Sequence, residues 1–393
     1  MALKKNTWKL NQWYDQDVAG NISYSTTSHE AWIWGNNQWG QLAQNNRTQY
    51  SSPVQIPGTT WARIGIRNDH AVGVKSDGTL WGWGLNEHGQ LGQNNKTQYS
   101  SPVQIPGTTW SSDWGKLNAT GYSTTGAIKT DGTLWCWGTN YRGTLGQNNL
   151  TSYSSPKQVP GTTWNIYSNS YEGSYAIKTD GTLWSWGRNN NGIHSGILGH
   201  NNQTSYSSPK QIPGTTWASI NAGGGFMMAT KTDGTLWAWG SNAYGSLGMD
   251  NSTTNVRYSS PVQVGTDTTW STSYNQLCTN PAHTVAAIKT DGSLWTWGRN
   301  QHGELGQNNK TQYSSPKQVG SGTDWDTVQT RHPFMIARKT DGTVWIWGEN
   351  EKGSLGQNNQ TQYSSPIQIP GFTGGEFSNI GVNKDGANVI KML

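Results

Sequence analysis

Apolar and polar positions alternate along this chain in short runs, and the runs recur. Trp-x-Trp-Gly stands at Trp32–Gly35, Trp81–Gly84, Trp135–Gly138, Trp184–Gly187, Trp237–Gly240, Trp295–Gly298 and Trp345–Gly348. Residues two apart point to the same face of a strand, so both indoles of each pair lie together. Lys-Thr/Ser-Asp-Gly-Thr/Ser leads into the pair, as at Lys129–Thr133. Asp-Gly between two apolar runs is a favoured two-residue hairpin turn, because Gly tolerates positive φ. Ala127–Ile128 and Leu134–Trp137 are therefore predicted to be antiparallel partners. After each pair come an Asn, Gly-x-Leu-Gly or a near variant, Asn-Asn-x-Thr, Tyr-Ser-Ser-Pro and a short apolar segment ending in Thr-Thr-Trp, as from Gln93 to Trp110. The Pro residues belong at strand starts, edges or turns. No window carries helical periodicity, so each unit of about 50 residues is predicted to hold three or four strands and no helix.

A four-stranded sheet with two apolar faces cannot stand alone in water, and radial stacking buries both. Leu80 and Gly82 would face one neighbouring blade, Trp81 and Trp83 the other. The expected fold is all-β: a single seven-bladed β-propeller over 1–393. Its repeats run approximately over 8–60, 61–109, 110–163, 164–216, 217–269, 270–324 and 325–371, with 372–393 a closing half-repeat. The first unit has Ser28-His29-Glu30 where the others have Asp-Gly. The C-terminus has such a turn, Lys384-Asp385-Gly386, but no Trp pair after it. Half-repeats at both ends predict closure by pairing of N- and C-terminal strands, with a cap on the last blade as the alternative.

Composition narrows the function. Only 32% of the 393 residues are apolar, yet 24 are Trp and 50 Gly, so large rings supply the buried area. Charged residues make up 12% with a net charge of +5, and the Lys residues are scattered through the turns instead of clustered. That argues against dedicated nucleic-acid binding. Cys136 takes a repeat position held elsewhere by Gly82, Ser185, Ala238 and Thr296, so it reads as a small core residue, and two cysteines make no disulfide framework. No signal-type apolar region and no membrane-spanning run is present, which points to a soluble chain without an export signal. The eight His residues form no metal-protease motif and no nucleophile elbow appears, so no catalytic residue, cofactor or metal is assigned and the chain is expected not to be an enzyme. The Asp of each Asp-Gly and the Asn of each Asn-x-Thr (Asn46, Asn95, Asn149, Asn202, Asn251, Asn309 and Asn359) read as turn residues, not metal ligands or glycan acceptors.

Trp-Gly-x-Asn-x-x-Gly-x-Leu-Gly followed by a Pro-containing strand resembles the RCC1-like repeat family, from about Trp8 to Leu393, and the form here is similar to that of microbes and their viruses. The resemblance implies a seven-bladed propeller. It places His70, His283 and His332 near a His that the family often carries before an inner strand. The best-known family activity is nucleotide exchange on a small GTPase, aided by a loop wedge, with chromatin bound through a basic tail. Neither wedge nor tail is matched here, and two short insertions, Ile193–Gly196 and Thr254–Arg257, are visible.

Repeated residues build the ring, so a unique ligand site is expected where repeats differ, after each Thr-Thr-Trp: Ala62–His70, Ser111–Thr125, Asn165–Ser174, Ser271–Thr284 and Asp326–Phe334. The binding candidates there are Arg67, Trp114, Tyr122, Tyr167, Tyr171, Tyr274, Arg331 and His332, since aromatics with Arg dominate binding hot spots. Trp13 and Tyr14 in the atypical first 20 residues add an attachment segment. The leading expectation is a non-enzymatic binding or structural module of a bacteriophage virion (tail, fibre or capsid decoration). It would be made in host cytoplasm and meet other virion proteins or a host-surface receptor, a glycan among them. The alternatives are a cytoplasmic RCC1-type regulator, as GTPase exchange factor or interaction scaffold, and a lectin-like glycan binder.

Overall fold

The computed structural model describes residues 29–67, 69–118, 123–192, 195–250, 256–351, 353–357, 359–370, 377–383 and 386–392; of these, His29, 51–53, 66–67 and everything beyond 376 are described by backbone alone. Strands β1 (His29–Gly35) and β2 (Tyr50–Gln55) come first. One sheet holds β3 (Trp61–Arg67), β4 (His70–Lys75), β5 (Leu80–Gly84) and β6 (Tyr99–Ile105). The next holds β7 (Leu117–Asn118), β8 (Thr124–Ile128), β9 (Leu134–Gly138) and β10 (Tyr153–Gln158). A third holds β11 (Trp164–Asn169), β12 (Gly173–Lys178), β13 (Leu183–Gly187) and β14 (Tyr206–Gln211). The fourth is β15 (Trp217–Ala222), β16 (Phe226–Lys231), β17 (Leu236–Ser241) and β18 (Arg257–Gln263). Two more follow: β19 (Leu277–Thr279), β20 (Thr284–Ile288), β21 (Leu294–Gly298), β22 (Tyr313–Gln318); then β23 (Trp325–Arg331), β24 (Phe334–Lys339), β25 (Val344–Gly348), β26 (Tyr363–Gln368). These six sheets are built from consecutive strands. The remaining sheet is composite, in the order β2-β1-β28-β27, with β27 at Phe377–Asn383 and β28 at Gly386–Met392.

The composite sheet corrects one expectation. Lys384 and Asp385 lie outside the described residues, but Gly386 opens a second strand and not the third strand that follows the recurrent Asp-Gly turn: Asn383 pairs with Gly386, and β28 pairs with β1, His29 opposite Met392. The register explains why. Phe377 lies opposite Lys391 as Trp61 lies opposite Lys75, so the last segment is a first-and-second-strand hairpin and β1, with Trp32 and Trp34, supplies the third strand.

The first strand of each sheet contacts that of the next, and β27 contacts β3, so the fold is an all-β propeller ringed around its innermost strands. The outermost strand of each self-contained blade carries Tyr-Ser-Ser-Pro, where Pro removes a donor from an exposed edge. Leu80 joins a cluster with Trp110 and Trp137 of the following blade, while Trp81 and Trp83 pack toward Ala31 and Ile33 of the preceding one. The second Trp of each pair is buried, and in the six self-contained blades its indole N–H reaches back to a backbone carbonyl of the previous blade: Trp83 to Gln41 at 2.9 Å, Trp137 to Gln90 at 2.9 Å, Trp239 to Ile197 at 2.7 Å. Each such ring buries on the order of 200 Å², worth about 5 kcal/mol of transfer free energy before ordering costs. Gly89 permits a further close approach: a β-carbon there would stand 2.5 Å from Ser154 of the next blade.

Candidate interaction surface

The ring has two rims. One carries the Asp-Gly turns and the segments entering each first strand. The other carries the loops between first and second strands and between third and fourth.

On the turn rim the repeats stay alike. Asp131 Oδ1 accepts from the Thr133 amide (2.9 Å) and hydroxyl (2.7 Å), and the Trp135 indole donates to the Thr133 hydroxyl at 2.9 Å. The bonds from Thr133 hold the Asp131 carboxyl below the usual range, so turn chemistry accounts for this Asp. The recurrent Lys, which looked like scattered charge in sequence, caps two rings. Lys129 Nζ stands 5.0 Å from the Trp110 ring centre and 4.7 Å from that of Trp135, and Lys75, Lys178, Lys231, Lys289 and Lys339 repeat this.

Two repeats depart on this rim. Lys75 follows Trp61 by 14 positions, but Lys129 follows Trp110 and Lys289 follows Trp270 by 19. The extra residues shorten the first strands β7 and β19 and fold over the channel mouth. Trp114 stacks on Arg63 of β3 at 3.6 Å, and Gly115 packs on Tyr274, which comes from the other insertion. Gln276 donates to the Asp326 carbonyl at 2.8 Å and Asn275 to the Thr327 hydroxyl at 3.0 Å, tying that insertion to β23. Burial pulls the Arg63 guanidinium down to about 10. Trp114 and Tyr274 are thus brought together as a plug, and the spacing of 19 was the sequence signal for it.

On the opposite rim the repeats diverge. Arg142 lies between two tyrosines, 4.3 Å from the Tyr141 ring centre and 3.7 Å from that of Tyr171, and its Nε meets the Glu172 carboxylate at 3.0 Å. Burial opposes the Arg142 charge, but Glu172 and the bonds from Tyr171 and Tyr141 together outweigh it, raising the Arg142 pKa. Asn191 holds the other Glu172 oxygen at 2.9 Å. Tyr141, Tyr171 and nearby Leu150 are the large apolar side chains most open to solvent among the described residues, at 53%, 39% and 60%. Further round, His283 stacks on Phe226 at 5.6 Å, Arg299 faces Tyr244 at 5.4 Å, and His302 and His332 meet at 5.5 Å. Burial, with Arg299, His302 and Arg331 beside it, holds His332 down to about 4. Of the two insertions, Arg257 donates to the Gly192 carbonyl at 2.8 Å and reaches the Ser195 hydroxyl at 3.4 Å, while 193–194 and 254–255 lie outside the described residues.

Of the sequence candidates, Tyr171 and His332 stand on this rim. Arg331 is there but buried. Tyr167 is corrected: it is a fully buried strand residue, stacked on Trp186 and bonded to Ser174 at 3.0 Å, because both faces of β11 are covered. The Arg67 side chain, Tyr122, Trp13 and Tyr14 lie outside the described residues. Tyr141 and Arg142 were missed; they occupy the variable pair inside Asn-x-x-Gly, which changes in every repeat. His70 is a core residue, its Nε2 3.1 Å from the Thr125 hydroxyl of the next blade. Asn95 bonds the Thr97 amide, the Gln93 carbonyl and the Tyr99 hydroxyl, which is turn chemistry. Among the described residues no group of three His, Cys, Asp or Glu is placed to hold a metal ion, and no helix is long and apolar enough to cross a membrane.

A family profile described as the regulator of chromosome condensation (RCC1) repeat matches residues 77–112, 131–165, 180–230, 233–272, 291–329 and 341–382. The chain belongs to the RCC1 repeat family. The ultraviolet-B receptor UVR8 of Arabidopsis thaliana is 26% identical over 313 residues, covering 75% of this RCC1-repeat chain and 67% of the receptor. The serine/threonine-protein kinase Nek9 of Xenopus laevis is 28% identical over 127 residues, 32% of this chain and 13% of the kinase, so this chain spans a small part of that protein's length. Among solved structures, Prp20p of Saccharomyces cerevisiae, described with its binding to Gsp1p and histones, superposes with a TM-score of 0.78 at 16% identity, covering 99% of this chain and 96% of that one. Human WBSCR16 gives a TM-score of 0.75 at 16% identity, covering 92% and 98%. At such identities the likeness is one of fold.

Proposed function

We propose that this RCC1-repeat chain is a cellular interaction platform, a closed ring of seven blades that binds a protein partner through its divergent rim. The observation that carries the reading is the Tyr141–Arg142–Tyr171 cluster. It gathers solvent-facing aromatics around a positioned guanidinium where the repeats differ, while the opposite rim repeats itself and its channel mouth is plugged. No catalytic role is assigned to any of these residues. The family supports a regulatory scaffold, and nothing in the relatives favours a bacteriophage virion component or a glycan binder. The test is a binding measurement against a Gsp1p-type GTPase, histones and Kap60, which a solved structure of similar fold holds bound to yeast RCC1 (Prp20), with the paired substitutions Tyr141→Ala and Tyr171→Ala. Loss of at least tenfold in affinity for one partner supports the platform. Absence of binding to all three, together with recovery of the chain from purified virus particles, would return the reading to the virion.

A further inference from the structure

The six Lys caps on the turn rim are not equivalent. At each of the four Pro-Gly sites before Thr-Thr-Trp the glycine faces the Trp indole, but at Gly58 the Trp61 N–H already donates to the Pro57 carbonyl at 3.3 Å, which leaves three open sites. A β-carbon on Gly107 would stand 3.5 Å from Trp110 Nε1 and 3.8 Å from Lys129 Nζ. On Gly161 it would stand 3.7 Å from Trp164 Nε1 and 3.6 Å from Lys178 Nζ, and on Gly214, 3.9 Å from Trp217 Nε1, which lies under Lys231. These three indoles are at most 3% exposed, and their N–H groups have no partner among the described residues; the Trp270 and Trp325 N–H groups share that state, so what sets the three sites apart is the carboxylate missing from the ammonium. Neither Lys129, Lys178 nor Lys231 has an ion-pair partner among the described residues. Buried donors without acceptors cost free energy, so an acceptor arriving here is favoured.

The chain itself shows what suits the position. In the next two repeats Pro-Gly is replaced by Val264-Gly265-Thr266-Asp267 and by Val319-Gly320-Ser321-Gly322-Thr323-Asp324. Asp267 meets Lys289 Nζ at 2.5 Å, and Asp324 meets Lys339 Nζ at 3.1 Å. Burial pushes the Asp267 carboxyl up, but the bonds from Lys289 and Thr269 prevail and hold it at about 2. In the sixth of these repeats the same spot opens into a cleft of about 430 Å³ between blades, lined by Gln307, Trp325, Lys339, Ser365 and Pro366 among others.

We propose that the niches at Gly107, Gly161 and Gly214 bind carboxylates presented by an acidic segment of a partner protein. Each niche offers the ammonium and the indole N–H to one carboxylate, the ammonium contact being the one Asp267 and Asp324 make from within the chain. A single exposed ion pair is worth no more than about 1 kcal/mol. Three niches on consecutive blades engage one chain of carboxylates, and linkage multiplies their affinity.

The probe is a synthetic glutamate-rich peptide, titrated at fixed ionic strength into the full chain while the indole N–H resonances are followed by NMR. A glutamine-for-glutamate peptide and a polyuronate serve as parallel arms. The resonances of Trp110, Trp164 and Trp217 are expected to shift, and those of Trp270 and Trp325 to stay. The combined substitutions Lys129→Met, Lys178→Met and Lys231→Met keep the apolar stems and should weaken binding at least tenfold. Asp267→Asn should add Trp270 to the responding set. No response to the glutamate peptide, an equal response to the glutamine peptide, a response to polyuronate alone, or full affinity in the folded triple variant each overturns the proposal.

Discussion

Acid should unfold this ring through a histidine that cannot accept a proton while buried. His70 is enclosed at the contact between two blades, and desolvation lowers its pKa from 6.5 to about 4. The Thr125 hydroxyl donates to the Gln90 carbonyl at 2.8 Å, so it accepts the hydrogen bond from His70 Nε2–H, which sets the tautomer of the neutral ring. Below pH 6.5 the unfolded chain takes up a proton here that the folded chain refuses. The contribution of His70 is therefore complete above pH 6.5 and is lost as pH falls toward 4. At about 1.4 kcal/mol per unit, that window is worth about 3 kcal/mol. The Asp-Thr turns lie outside it, because their carboxyls are held below 3.8 and protonate only in stronger acid. The assay is urea denaturation, followed by Trp fluorescence at several pH values between 7.5 and 4, on the parent and on His70→Gln. The parent should lose about 3 kcal/mol more across the window than the variant, whatever the two stabilities at neutral pH. Parallel pH slopes, or a His70 ring that titrates in the folded protein near 6.5 by NMR, would refute the reasoning.

Trp137→Phe removes the indole donor to Gln90 and should lower stability by about 1–3 kcal/mol, read as a denaturant midpoint; an unchanged midpoint would discard the inter-blade bond as a contributor. Gly126→Ala places a β-carbon 2.2 Å from Tyr167 Cε1 and should destabilise by about 1–3 kcal/mol, with recovery when Tyr167→Leu is added; tolerance of the single change would show the contact to be loose. Burial pushes the Cys136 thiol to about 12 and the Cys278 thiol far above its ordinary range, so neither should react with a thiol reagent at pH 8 until guanidinium is added. Rapid native labelling of either would contradict that burial.

The strands could be read from the sequence because Trp-x-Trp and Asp-Gly impose a period of two and a turn, and Ala127 indeed lies opposite Trp135. The Lys caps could not, since they depend on register: only when Trp110 bridges to Lys129 across the first hairpin does the ammonium reach two rings. The plug was readable in principle from the spacing of Trp110 to Lys129, but the partnership of Trp114 with Arg63 and of Gly115 with Tyr274 joins distant repeats. Tyr141 and Arg142 escaped because variation was sought only after Thr-Thr-Trp, whereas Tyr171, which completes their cluster, belongs to the following blade. Tyr167 shows the opposite: its stretch diverges in sequence yet forms β11, whose two faces are both covered, so divergence there does not mark exposure.

The composite sheet shows how sequence units and blades are out of phase. A unit read from one Trp-x-Trp to the next contributes the third and fourth strands of one blade and the first and second strands of its neighbour. Each unit is thus a covalent tether across a blade boundary, and gain or loss of a whole unit changes the circumference without severing a hairpin. At the junction of β28 with β1 the tether is replaced by backbone pairing alone, from His29–Met392 to Ile33–Asn388. Because every Lys-Thr/Ser-Asp-Gly turn occupies the equivalent place in its own blade, opening the ring at any of them and rejoining it here would keep every strand pairing.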